Sequence, residues 1–166
     1  EKKIHILNGG LKKWIFENKP VTKLTTEIIE SNYVANEKEN LVVSFDQIKK
    51  NILSKSFNVI DARSLERFEG KVSEPRKGLR SGHIQNSFCL PFNQCINQKT
   101  GEFKNLEELR ELFNQNENIE KRLDQVFTCG SGVTAAVLAY AYKMVNNDYI
   151  PKIYDGSWSE YGKYPA

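Results

Sequence analysis

Val126-Phe127-Thr128-Cys129-Gly130-Ser131-Gly132-Val133-Thr134-Ala135-Ala136 runs from an apolar strand, through a cysteine and a glycine-bearing loop, into a helix. The strand is read over 125–128, a short apolar run of the kind that is buried in a sheet. The helix is read over 133–145, which holds no Gly or Pro and is rich in Ala, Leu and Tyr, so it should be largely buried. Working outward, the same alternation recurs. Ser44 with Gln47 three residues on forms a capping box that opens a helix over 45–53. Residues 57–60 read as a buried strand ending at Asp61, and 87–90 as another, stopped by Pro91. Asn105, with Glu108 at the third position, caps a helix whose stripe is Leu106, Leu109, Leu112 and Phe113. Residues 152–154 close the series as a strand before the Asp155-Gly156 turn. Strands alternating with helices predict an α/β fold, with a mainly parallel central sheet flanked by helices on both faces. The active site is then expected beyond the carboxyl ends of the strands.

Composition narrows the function. The chain has 166 residues, 39% of them hydrophobic, enough for one domain with a real core. Twenty-four Lys+Arg against 21 Asp+Glu leave a net charge of +3, with the basic residues interleaved among acids, so no nucleic-acid partner is expected. No apolar run nears the ~20 residues of a membrane helix, and no membrane partner is expected. The longest run, 133–142, contains a Thr and four alanines and follows no basic segment, so it is no signal peptide either. The three cysteines, Cys89, Cys95 and Cys129, lack CxxC spacing, and neither His5 nor His83 stands at a ligand spacing from them. This predicts no disulfide framework, no metal site and no bound cofactor. The thiols read as reduced, in a reducing compartment, the cytoplasm or, for a eukaryotic source, a mitochondrion. Gly9-Gly10 and Gly130-Ser131-Gly132 extend to neither a P-loop nor a dinucleotide fingerprint.

An internal repeat bears on domain organisation. Residues 6–14, Ile-Leu-Asn-Gly-Gly-Leu-Lys-Lys-Trp, align with residues 153–161, Ile-Tyr-Asp-Gly-Ser-Trp-Ser-Glu-Tyr. Each reads as strand, Asx-Gly turn and aromatic-bearing helical turn. The expectation is that 1–19 is the tail of a preceding, related domain, 20–40 a polar interdomain linker carrying Pro20, and 41–166 the catalytic domain.

The chemical centre is Cys129, placed where a strand ends and a helix begins. Gly130 and Gly132 can adopt positive φ and turn successive loop N–H groups inward, forming a nest for an anion, and a thiolate is an anion. An unperturbed thiol of pKa ~8.5 is only a few per cent ionised at pH 7. A helix N-terminus supplies ~0.3–1 kcal/mol, up to ~2 in favourable geometry, or about one unit at ~1.36 kcal/mol per unit. The loop amides must therefore do more than the dipole. An inert buried cysteine would need no flanking glycines. A cysteine phosphatase would need an arginine six residues on, where Ala135 stands. A Cys–His hydrolase would need His83 as base, but its setting, Ser81-Gly82-His83-Ile84, reads better as a turn cap or core position.

Cys129-Gly130-Ser131-Gly132-Val133-Thr134-Ala135 resembles the active-site loop of the 3-mercaptopyruvate sulfurtransferases, within the rhodanese superfamily. The resemblance covers about 41–166 and includes Asp61-Ala62-Arg63, Arg67-Phe68-Glu69-Gly70, Glu74-Pro75-Arg76, Ser81-Gly82-His83-Ile84 and Asp155-Gly156-Ser157-Trp158. Thiosulfate sulfurtransferases of the superfamily usually carry basic residues where Gly130 and Ser131 stand. The resemblance implies that Cys129 takes sulfur from 3-mercaptopyruvate, releases pyruvate and carries a persulfide. A thiol acceptor such as thioredoxin or a small thiol, or cyanide in an assay, then removes that sulfur. It implies Arg67 and Arg76 as substrate-binding residues, Ser131 as a proton donor near the sulfur, and Gly130, Gly132, Val133 and Thr134 as the active-site loop. It further implies a preceding rhodanese-like domain that adds an acidic or histidine partner, without which this segment transfers sulfur less well. Asp61 and Arg63 are expected to brace the loop, Trp158 and Tyr161 to pack the last strand, and Cys89 and Cys95 to be structural. The alternatives are a thiosulfate sulfurtransferase and a non-enzymatic sulfur-relay or interaction module of the same fold.

Overall fold

Adjacent residues of the central strands face opposite ways, and both faces are apolar. Val59 and Val126 point to one side of the sheet, Ile60 and Phe127 to the other, and all four are buried. A sheet with two apolar faces must be covered twice. The computed structural model describes residues 4–30, 32, 34, 36, 40–116 and 119–165. Its elements are α1 (Gly10–Phe16), α2 (Phe45–Ser54), β1 (Phe57–Asp61), α3 (Leu65–Phe68), β2 (Ser87–Cys89), a 3-10 turn (Phe92–Cys95), α4 (Leu106–Asn114), β3 (Asp124–Thr128), α5 (Val133–Val145), β4 (Lys152–Ile153) and α6 (Ser157–Tyr161).

The four strands are parallel in the order β2-β1-β3-β4. β1 and β3 pair in register, Val59 opposite Val126, Ile60 opposite Phe127 and Asp61 opposite Thr128. Residues 41–43 extend the β4 edge: Val43 N–H donates to the Ile153 carbonyl at 2.8 Å, and Ile153 N–H to the Leu41 carbonyl at 3.0 Å. On one face Leu109 and Phe113 of α4 and Ala135, Leu138, Ala139 and Ala141 of α5 pack on Ile60 and Phe127. On the other, Ile48 of α2 and Trp158 of α6 pack with Tyr154 on Val59 and Val126. From β1 the chain crosses first to β2 and then back to β3 on the opposite side. The residue after β3 thus stands at the point where strand order reverses, the place where open α/β sheets present their sites.

Both capping boxes form as the sequence predicts. Ser44 Oγ accepts from Gln47 N–H at 3.3 Å while Gln47 Oε1 accepts from Ser44 N–H at 2.8 Å. Asn105 Oδ1 accepts from Glu107 and Glu108 N–H at 3.0 and 2.9 Å, and Glu108 Oε2 accepts from Asn105 N–H at 3.0 Å. Each cap contributes about 1 kcal/mol. Trp158 is buried and Tyr161 packs beside it, as expected.

The repeat at the chain start is realised only in part. The helical turn forms as α1, but Ile6 and Leu7 have no strand partner and are exposed. A strand exists only through hydrogen bonds to a neighbour, and residues 41–43 already occupy the β4 edge. Helix α1 buries none of its residues; it is held by the Lys13–Glu102 ion pair and by Asn8 Oδ1, which accepts from Phe103 N–H at 3.0 Å. Residues 20–30 carry no helix or strand and are exposed. The remaining parts of the expected tail and linker, at 1–3, 31, 33, 35 and 37–39, lie outside the described residues. Helix α3 and the 3-10 turn are single turns, too short to leave a periodic trace in the sequence.

Candidate active site

Cys129 is the first residue past β3, and the loop that follows it is built around its sulfur. Ser131 N–H lies 3.4 Å from Sγ. The Thr134 hydroxyl and the amides of Ala135 and Thr134, in the first turn of α5, also favour its charged form. Burial is the largest single influence and pushes the thiol up, but the Thr134 hydroxyl and the three amides together outweigh it and bring the thiol below its ordinary value. The other two cysteines behave oppositely. Cys89 is pushed up to about 12 by burial and then by Asp61, and Cys95 to about 12 by burial. Of the three thiols, only Cys129 is prepared for ionisation.

The two loop glycines act differently from the sequence-based expectation that both turn through positive φ. Gly132 does, at φ 81, and a methyl there would run into Asp155 Oδ1 and stand 3.2 Å from its carbonyl oxygen. Gly130 has no positive φ. Its need is space, because a methyl would stand 3.0 Å from Arg67 Nη2. The N–H groups also do not all face the sulfur as expected. Gly132 N–H and Cys129 N–H both donate to Ser157 Oγ, each at 3.1 Å. That serine belongs to a quoted motif, but its contact spans 28 residues of sequence and no periodicity reports it.

The two arginines open onto the same side as the sulfur. Arg67 is bound to Glu74, Nε to Oε1 at 3.2 Å and Nη2 to Oε2 at 2.6 Å. Of the glutamates near it in sequence, Glu74 is the one that holds it. Arg76 is exposed and reaches the Gly130 carbonyl at 3.5 Å. An open cavity of about 410 Å³ joins Arg67, Arg76 and Cys129, with Ser131, Val133 and Thr134 on its wall. A larger depression, about 660 Å³, lies between α1 and residues 20–23 and is mostly apolar, with no cysteine in its lining.

Beneath the cavity, Arg63 clamps Asp61. Nε contacts both carboxylate oxygens at 3.1 and 3.0 Å and Nη2 contacts Oδ2 at 2.7 Å. Arg63 Nη1 also donates to Glu74 Oε1 at 2.8 Å, and Nη2 to the Gly82 carbonyl at 2.8 Å. Asp61, Arg63, Glu74 and Arg67 thus form one chain of alternating charge. His83 is exposed, places Nδ1 2.8 Å from the Phe68 carbonyl and stacks on the Phe68 ring, which is a turn-capping position. Among the described residues no group of three or more His, Cys, Asp or Glu side chains is arranged to hold a metal ion.

This arrangement, a thiol lowered below its ordinary value at a strand end with two guanidinium groups lining the same cavity, suits covalent chemistry on a small anion. A rhodanese-like domain family model matches residues 44–164. The 3-mercaptopyruvate sulfurtransferase of Homo sapiens is 35% identical over 158 residues, covering 95% of this chain and 52% of that protein. An Arabidopsis thaliana protein named thiosulfate/3-mercaptopyruvate sulfurtransferase 1, mitochondrial, is 35% identical over 184 residues, covering 98% of this chain and 48% of that one. Among solved structures, SseA from Escherichia coli, described as a 3-mercaptopyruvate sulfotransferase with the rhodanese fold, matches with a TM-score of 0.78 and 31% identity, over 96% of this chain and 58% of that one. The chain spans about half the length of the curated relatives it matches. With the family model covering the whole sheet and the Cys129 loop, the chain belongs to the rhodanese-like domain family.

Proposed function

We propose that this domain is the catalytic unit of a 3-mercaptopyruvate sulfurtransferase. The observation that carries the reading is a single cavity holding a thiol lowered below its ordinary value together with two arginines. In the first half-reaction the Cys129 thiolate attacks the donor sulfur. The carbon–sulfur bond breaks, its electron pair leaves on the enolate of pyruvate, and a proton taken up by that enolate gives pyruvate. Ser131, on the cavity wall, is the assigned proton donor. Arg67 and Arg76 hold the keto-carboxylate. In the second half-reaction a thiolate acceptor, from thioredoxin or a small thiol, attacks the outer sulfur of the persulfide and restores Cys129.

Thiosulfate is the second donor to weigh, since the name of the Arabidopsis relative includes both. The loop itself offers Gly130 and Ser131, with no charge of its own, and a dianion is better served by basic side chains there. A preceding rhodanese-like domain, ending over 1–19 and joined through 20–40, would cover the open cavity, and the repeat between 6–14 and 153–161 supports it. No helix among the described residues is long and apolar enough to cross a membrane; the reading places the protein in a reducing compartment, the cytoplasm or a mitochondrion. Cyanide-dependent turnover with each donor, in wild type and Cys129→Ser, tests the proposal. Faster turnover with 3-mercaptopyruvate, abolished in the variant, is expected. Preference for thiosulfate would replace the donor, no turnover with either would favour a partner-loaded relay module, and undiminished turnover in the variant would remove the nucleophile.

A further inference from the structure

We propose that Ser157 is a positioning residue for the Cys129 loop, its hydroxyl clamping both ends of the loop so that the amides around the sulfur face it. The proposal rests on the reading of Cys129 as the sulfur-carrying nucleophile. Ser157 is fully buried, and its Oγ meets four hydrogen-bonding groups, so that the donors share its two lone pairs. It accepts from Cys129 N–H and Gly132 N–H, each at 3.1 Å, and from the Thr128 hydroxyl at 3.2 Å, and it donates to the Tyr154 carbonyl at 2.8 Å. Cys129 and Gly132 are three residues apart. Tying both N–H groups to one oxygen fixes the curvature of the chain between them, which is what turns Ser131 N–H toward Sγ. The same tie sets where Val133 begins α5, and hence where the Thr134 and Ala135 amides lie.

The backbone of Ser157 reinforces the argument. It sits at φ 50, a left-handed conformation that glycine adopts freely and a side chain does not. A non-glycine residue held there is a strained position over-determined by its surroundings, and such positions gather at functional sites. Here the surroundings are the four hydrogen bonds of the hydroxyl. Two further bonds join the same segment to the loop by main chain alone: Trp158 N–H to the Cys129 carbonyl and Ser159 N–H to the Gly130 carbonyl, both at 2.9 Å. These survive loss of the hydroxyl, so a variant can keep the loop in place and lose only its exact curvature.

Ser157→Gly removes the hydroxyl and relieves the backbone, whereas Ser157→Ala removes the hydroxyl and leaves the strain. Iodoacetamide alkylation of Cys129 is followed against pH, with the modified peptide identified by mass spectrometry, alongside thermal unfolding. Both variants are expected to move the alkylation midpoint to higher pH, slowing the reaction well below the midpoint about tenfold, which is about one pKa unit. Ser157→Ala is expected to melt below Ser157→Gly, so that stability and thiol ionisation separate. A midpoint in folded Ser157→Gly equal to wild type, whatever the melting temperature, would overturn the proposal. A slower reaction without a shifted midpoint would also overturn it, since that is a change of access. Failure of the wild type to take up sulfur from any donor would remove the sulfur-transfer reading, while the midpoints would still decide the role of Ser157.

Discussion

Thr134→Val isolates one of the groups that lower the Cys129 thiol. Valine keeps the branched shape of threonine in the first turn of α5 and removes only the hydroxyl. That hydroxyl is foremost among the groups that lower the thiol against the opposing effect of burial. A hydrogen bond to a charged group contributes about 1.5–3 kcal/mol. At about 1.36 kcal/mol per pKa unit, its loss slows alkylation of Cys129, measured below the midpoint, about tenfold to a hundredfold. Three amides remain and the cavity admits water, so the lower end is expected. The sign also fixes a stability effect. A native thiol lowered below its unfolded value adds stability above the ordinary thiol range, and that stability is lost as pH falls through the lowered native value. Thr134→Val moves the native value up and narrows this window. The assay is the pH dependence of iodoacetamide alkylation at Cys129, read beside a melting curve. A folded variant whose profile superimposes on wild type would refute the reasoning and leave the amides as the whole cause.

The two loop glycines should fail in different ways. Gly132→Ala places a side chain at positive φ, a cost of roughly 1–2 kcal/mol before the collision with Asp155, and at about 2–4 °C per kcal/mol for a chain of this size calorimetry should show a loss of about 5 °C or more. Gly130→Ala should melt close to wild type but raise KM for 3-mercaptopyruvate severalfold, because its methyl presses on Arg67; the reverse pattern would remove the distinction. For the arginines, Arg67→Ala should raise KM about tenfold and Arg76→Ala only a few-fold, since Arg67 is fixed by two bonds to Glu74 and Arg76 is exposed with one long contact. Equal effects would show that fixing Arg67 in advance gives no advantage.

What was legible in the sequence was local. Helix α5 begins and ends at the expected residues, and both capping boxes form, because a cap and an apolar period act within a few residues. Cys129 was legible for the same reason, since strand, loop and helix are contiguous there. What stayed hidden was pairwise and distant. Nothing near Gly130 in sequence says that its missing side chain makes room for Arg67, and nothing near Arg67 chooses Glu74 over Glu66 or Glu69. The Ile6-Leu7 strand failed on the same ground. A helical turn satisfies its own backbone and forms in both copies of the repeat, while a strand needs a second segment beside it.

The distant pairs converge on one short element. Helix α6 holds the sulfur loop through Ser157 Oγ, Trp158 N–H and Ser159 N–H. Its Trp158 ring also lies under the Arg63 guanidinium, 4.5 Å from the ring centre, and Arg63 binds the Glu74 that binds Arg67. Cys129 and Arg67 are therefore referenced to the same helix. Buried ion pairs add little net stability once their desolvation is counted, and an apolar replacement of equal volume is often as stable. The side chains of Arg63 and Glu74 are 0% and 2% exposed, so stability is a weak reason for their charge. Position is a stronger one. For Arg67 to meet the donor carboxylate beside Cys129, as proposed, its own counter-ion Glu74 must be fixed, and Arg63 fixes it against the helix that holds the Cys129 loop.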